Sequence, residues 1–164
     1  LDDPITSQFR FGLVVVGARA GDDLRPAYHL ARMVSDFVPA DEFLAVIEAG
    51  RMVPSAGQEP TVDTMYWSMN EYPFSWRTDA QKVIITMTDE EAQTTFSHPR
   101  TCFEVAEHAD NLGFELFVFA LQQHHNTFIN CVRGRRDRLY TPTANSETVF
   151  LQIRAIFEDL CMGG

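Results

Sequence analysis

The chain has 164 residues, 45% of them hydrophobic, and its 13 basic against 23 acidic side chains give a net charge of −10. That length fits one domain, the apolar content excludes wholesale disorder, and the acidity disfavours a nucleic-acid partner because the average surface repels phosphate. No apolar run reaches the roughly 18 residues a membrane span needs, and three cysteines without zinc-ligand spacing are too few for a disulfide scaffold.

From the N-terminus, "LDDPITSQ" is neither an initiating methionine nor a signal peptide and reads as part of something longer. "FRFGLVVVG" (9–17) is expected to be a buried strand stopped by glycine, and "ARAGDDLRP" a turn or exposed loop. "AYHLARMVSDFV" (27–38) fits a helix about as well as an edge strand, with Tyr28, Leu30 and Val34 on one alternating face. "ADEFLAVIEAG" (40–50) predicts a helix with Asp41 as a cap, a stripe of Phe43, Leu44 and Ile47, and Gly50 as its stop. A second helix follows over 60–72, with Pro60 in its first turn and Val62, Met65 and Met69 on its apolar side.

The run at 82–88 places Val83, Ile84, Ile85 and Met87 in a buried strand of a parallel sheet, and Thr88, Asp89 and Glu90 follow at its tip. Ligands in open α/β sheets bind beyond the carboxyl ends of such strands, so Asp89 stands where a ligand or metal carboxylate is expected; a capping role is the alternative. "TCFEVAEHADNLG" (101–113) is a helix with Thr101 and Glu104 as a capping box and Gly113 as terminator. "FELFVFAL" (114–121) is a strand, "QQHHNTFINCVRG" a short helix or irregular turn, and "RLYTP" (138–142) a short strand. A final amphipathic helix starts at Asn145 or Ser146. The alternation predicts one α/β domain with an open, mostly parallel, Rossmann-like sheet and helices on both faces, residues 9–17, 82–88, 114–121 and 138–142 sharing that sheet.

Other side chains read as structural. "RGRRDR" (133–138) is a solvated basic turn, His124 and His125 are polar loop histidines, and Glu104 and His108 make an exposed helical pair. Trp67 and Trp76 are core stock. "GARAG" (17–21) lacks both the spacing and the helix of a dinucleotide-binding turn. The three cysteines, Cys102, Cys131 and Cys161, are either all free thiols, or one pair bridges and the third bonds elsewhere.

The stretch 56–94 resembles von Willebrand factor A domains, in particular the I-like domain of integrin β-subunits. The elements that carry it are Gln58-Glu59, Asp63-Thr64, Ser75-Trp76-Arg77 and Thr88-Asp89, in the family's order. The resemblance implies a non-enzymatic adhesion module, extracellular or at the cell surface, that grips a carboxylate-bearing ligand through a divalent cation, Mg²⁺ or else Mn²⁺ or Ca²⁺. Asp89 and Glu59 match two of the metal-ligating positions, with Glu90 and Gln58 beside them as ligand-contacting residues. The family's Asp-x-Ser-x-Ser motif and the central strand before it are missing from this sequence, so the site is incomplete here. An extracellular setting further implies one internal disulfide. Consecutive right-handed crossovers then favour Cys102–Cys131, with Cys161 left for an outside partner. The alternatives are a metal-dependent hydrolase acting through Asp89 and an intracellular, metal-free A-domain scaffold.

Overall fold

The computed structural model describes residues 9–16, 31–49, 59–94 and 99–162. Two strands, β1 (Phe11–Val16) and β2 (Ala31–Val38), are followed by helices α1 (Ala40–Ala49) and α2 (Thr61–Asn70). Next come β3 (Lys82–Met87), α3 (Cys102–Leu112), β4 (Phe114–Phe119), the single turn α4 (His125–Phe128), β5 (Leu139–Tyr140) and α5 (Ser146–Met162). The ambiguous segment 27–38 is a strand from residue 31 on, as its β-branched and aromatic residues favour. Residues 27–30, Gly50 and "GARAG" lie outside the described residues.

The fold is mixed α/β, and its parallel part is a sheet of order β3–β4–β5. Side chains of β4 alternate between two apolar layers. Phe114, Leu116 and Val118 pack with Val62, Met65 and Met69 of α2 and Val105 and Ala109 of α3, while Phe117 and Phe119 pack with Ile156 of α5. Helices therefore cover both faces, and a strand with an apolar residue at nearly every position is what two covered faces require. Each α3 end is fixed by the residues the sequence marked. Glu104 N–H donates to the Thr101 hydroxyl at 3.2 Å, Glu104 Oε2 accepts from Thr101 N–H at 2.7 Å, and Gly113 closes the helix at φ 72°. Asn145 Oδ1 caps α5 by accepting from Glu147 N–H at 2.9 Å.

The expectation of one sheet is corrected. β1 pairs antiparallel with β2 in a separate two-stranded ribbon, with register shifts after Phe11 and Leu13. Pairing partners of a strand are non-local, and an apolar run specifies burial without specifying its neighbour. Aromatic rings tie ribbon to sheet. Phe37 of β2 meets Trp76 edge-on at 4.6 Å between centroids, and Trp76 in turn meets Phe114 of β4 at 4.7 Å. Trp76 also donates its indole N–H to the Ser68 carbonyl at 3.0 Å. Ser75 fastens the same segment to β2, donating its hydroxyl (2.5 Å) and N–H (3.0 Å) to the Asp36 carboxylate, which these bonds hold below the usual carboxylate range.

Several smaller expectations change as well. Leu44 and Ile47 of α1 are exposed, because only the Phe43 side of that helix meets the ribbon, stacking on Phe11. Glu104 serves the cap instead of pairing with His108, which stacks on Tyr66 at 4.4 Å. His125 is no free loop histidine: its Nε2 lies 3.1 Å from the Ala120 carbonyl, 3.2 Å from that of Tyr140 and 3.3 Å from the Thr141 hydroxyl. Within the basic turn Arg138 is largely buried, ion-paired with Glu115 and set over the Phe117 ring. The strand expected at 138–142 is reduced to Leu139–Tyr140.

Candidate functional site at the end of β3

β3 delivers its last residues to a fixed place because the chain beyond it is tied on both sides. Thr88 N–H donates to the Phe119 carbonyl at 2.9 Å, continuing the β3–β4 ladder by one residue. The Thr88 hydroxyl accepts from Glu90 N–H at 3.1 Å, which folds Asp89 and Glu90 into a tight turn with both side chains in solvent. Farther on, Ala92 N–H donates to the Thr127 hydroxyl at 3.0 Å, and Val62 N–H donates to the Gln93 carbonyl at 3.1 Å. The loop 88–93 is thereby stitched to α4 and to the first turn of α2.

Glu59 reaches this turn from the other direction. Its N–H donates to Gln93 Oε1 at 3.1 Å, and its Oε2 accepts from the Thr88 hydroxyl at 3.4 Å. The carboxyl is half-buried and pushed above its ordinary range, first by burial, then by the negative charges of Asp89 and Glu90; the Thr88 hydroxyl opposes the shift. Pro60 is buried behind it, and the fully buried Asp63 accepts from Arg100 N–H at 3.0 Å, so the α2 end of the site is rigidly seated.

Of the residues singled out from sequence, Glu59, Asp89 and Glu90 come together, and Gln58 lies outside the described residues. Thr88 and Gln93 are additions. A threonine directly before the strand-end aspartate was a visible signal for the first. Nothing in the sequence marks Gln93, whose role depends on a contact across 34 positions. Ser75, Trp76 and Asp63 hold structure instead, and Arg77 makes an exposed ion pair with Asp79 at 2.6 Å.

Chemically the site offers hard oxygen donors: the Glu59 carboxyl with the Thr88 hydroxyl bonded to it, and the Asp89 and Glu90 carboxylates whose charges act on Glu59, with no cation among the described residues lowering the Glu59 carboxyl. Such donors suit Mg²⁺, Mn²⁺ or Ca²⁺ in kind. They fall short in number: among the described residues no group of three His, Cys, Asp or Glu side chains is arranged to hold a metal ion.

Cys102 and Cys131 are joined in a disulfide with Cα atoms 4.1 Å apart, and Cys161 is free and exposed. Among the described residues no helix is long and apolar enough to cross a membrane. No family model matches the chain, and comparison with curated proteins finds no match.

The raised Glu59 carboxyl has a measurable sign. A carboxyl that holds its proton more tightly when folded favours folding fully below its ordinary value of 4.5, and that contribution is lost as pH rises through the folded value. Glu59→Gln keeps an acceptor for Thr88 without the charge. We expect it to melt above the parent near neutral pH, with the difference vanishing as pH falls below 4.5. Thermal melts across that range check this, and a lower melting temperature for the variant near neutrality would refute it.

Proposed function

We propose that the chain is a von Willebrand factor A-like, non-enzymatic binding module that engages a carboxylate-bearing protein or surface ligand through a divalent cation at the end of β3. The observation that carries this reading is Glu59, half-buried, hydrogen-bonded to Thr88, and pressed by the charges of Asp89 and Glu90. A cation bridging Glu59 and Asp89 would relieve that repulsion, and a coordination position left open would accept a ligand carboxylate. The parallel ladder β3–β4–β5 with helices on both faces, and the site's place beyond a parallel strand's carboxyl end, support the same reading. The Cys102–Cys131 pair is compatible with an oxidising compartment, and the proposal sets the module outside the cell or on its surface.

Two carboxylates and a hydroxyl make a weak site, so the 164-residue chain should bind Mn²⁺ only feebly. Titration followed by electron paramagnetic resonance should show Asp89→Ala and Glu59→Ala each weakening Mn²⁺ binding by about tenfold, with the fold intact by circular dichroism. An immobilised aspartate-bearing peptide should be retained in Mg²⁺ and released by EDTA. Mn²⁺ affinity equal in the parent and the double variant would overturn the metal reading in favour of a metal-free scaffold. Turnover of a phosphate ester that depends on Asp89 would favour the hydrolase instead.

A further inference from the structure

In a chain of net charge −10, the six residues 133–138 hold four of the 13 basic side chains. Three of them, Arg133, Arg135 and Arg138, line a pocket of about 130 Å³ between the second half of α3 and the first residues of β4. Asp110 and Glu115 line it as well, so the wall carries three guanidinium groups and two carboxylates. In the parallel ladder Lys82 lies opposite Phe114 and Met87 opposite Phe119. The pocket, beside Phe114, is therefore at the other end of β4 from the candidate site, and what it binds is independent of the metal reading.

The turn that carries the arginines is firmly built. Cys131 ties it to α3 through the bridge to Cys102, Gly134 N–H donates to the Ile129 carbonyl at 2.8 Å, and Arg135 N–H donates to the Val132 carbonyl at 3.0 Å. Arg133 has a left-handed backbone, φ 54°, a conformation that is costly for a residue with a Cβ and that marks a candidate functional position. From there its guanidinium pairs with Asp110 and donates to the Ala106 carbonyl at 3.4 Å. Arg138 forms the floor: its side chain is 11% exposed and paired with Glu115, and its Nε is buried without a hydrogen-bond partner among the described residues. Arg135 is half-exposed at the mouth, paired at 2.8 Å with Asp137 in a surface ion pair of the kind that contributes little and yields readily.

We propose that this pocket binds one inorganic phosphate ion in a form that keeps a proton. Guanidinium groups are the side chains best matched to phosphate oxygens, and here they stand at both mouth and floor. The volume suits an ion, since pockets for whole organic ligands start at about 300 Å³. The two carboxylates set the selectivity, because an ionised carboxylate can only accept hydrogen bonds. Inorganic phosphate at neutral pH still has an O–H to donate to Asp110 or Glu115. Sulfate has none and meets their negative charge unrelieved. A phosphate monoester, with a second pKa of about 6, is mostly unprotonated at neutral pH and falls with sulfate.

Titration calorimetry on the 164-residue chain, at constant ionic strength and about pH 7.5, tests it. Inorganic phosphate should bind with a Kd of about 1 mM, and sulfate and O-phosphoserine at least about tenfold more weakly. Arg135→Gln should weaken phosphate binding about tenfold. Arg136→Gln removes the same charge from a neighbour that does not line the pocket, and should change binding less than about twofold. Asp110→Asn places a donor in the wall and should bring sulfate to within about threefold of phosphate. Circular dichroism checks that each variant is folded. Equal phosphate affinity in the two arginine variants would mean diffuse attraction to the basic turn and would overturn the pocket. Sulfate binding as tightly as phosphate to the parent would overturn the protonated ion. No saturable heat with phosphate up to about 20 mM would overturn the site itself.

Discussion

Replacing Cys102 and Cys131 together by alanine is expected to lower the melting temperature by about 7–14 °C. The bridge closes a loop across 29 positions that contains most of α3, all of β4 and the turn α4. Constraining a loop of that length in the unfolded chain stabilises the fold by about 3.5 kcal/mol. For a domain of this size each kcal/mol corresponds to roughly 2–4 °C. Calorimetry should show the parent in excess reductant melting close to the double variant in oxidising buffer. Cys161→Ser should change little, since that thiol is exposed and free. Identical melting of the parent with and without reductant would show that the pair is not bridged in solution.

The second large effect lies where the core meets the candidate site. Phe119 is completely buried, stacks on Tyr140 at 4.8 Å between centroids, and packs in one cluster with Ile156, while its own carbonyl accepts from Thr88 N–H. Phe119→Ala should cost about 3–5 kcal/mol, the transfer term plus the cavity left beneath α5. Phe119→Leu, which fills most of the space, should cost about 1–1.5 kcal/mol. Denaturant midpoints at a constant slope measure both. Because Phe119 anchors the residue that precedes Asp89, the alanine variant should also speed amide exchange at Thr88 and Glu90. A loss under about 1 kcal/mol for the alanine variant would mean that the site collapses freely, contrary to the close packing found here.

Legibility followed the range of the interactions. The capping box at Thr101–Glu104, the left-handed Gly113 and the Asn145 cap were readable because each is settled within a few residues. The apolar positions Val62, Met65 and Met69 of α2 and the mostly apolar run of β4 were readable because apolar side chains mark burial, but the burial of Thr61, Asp63, Thr64 and Ser68 on the other sides of α2 left no such mark. Glu59 and Asp89 could be brought together only through the resemblance, and the structure sets their charges against each other at the end of β3. What the sequence concealed was non-local. Val14 or Ile84 says that a strand is buried and nothing about which strand lies beside it, so the division into ribbon and sheet was missed. His125 and Arg138 looked like loop residues because their partners, the carbonyls of Ala120 and Tyr140 and the carboxylate of Glu115, lie in other elements. Leu44 and Ile47 fitted a helical stripe, but the surface available to α1 was narrower than the stripe.

Trp76 stands with its ring between Phe37 of the ribbon and Phe114 of the parallel sheet, its N–H held by Ser68. The chain's other indole, Trp67, is buried on α2. Indole emission depends on the polarity of the ring's surroundings, and only Trp76 straddles the seam. Its colour is thus an intrinsic optical gauge of whether ribbon and sheet part company before either loses its own hydrogen bonds, read against a Trp67→Phe background with no label attached.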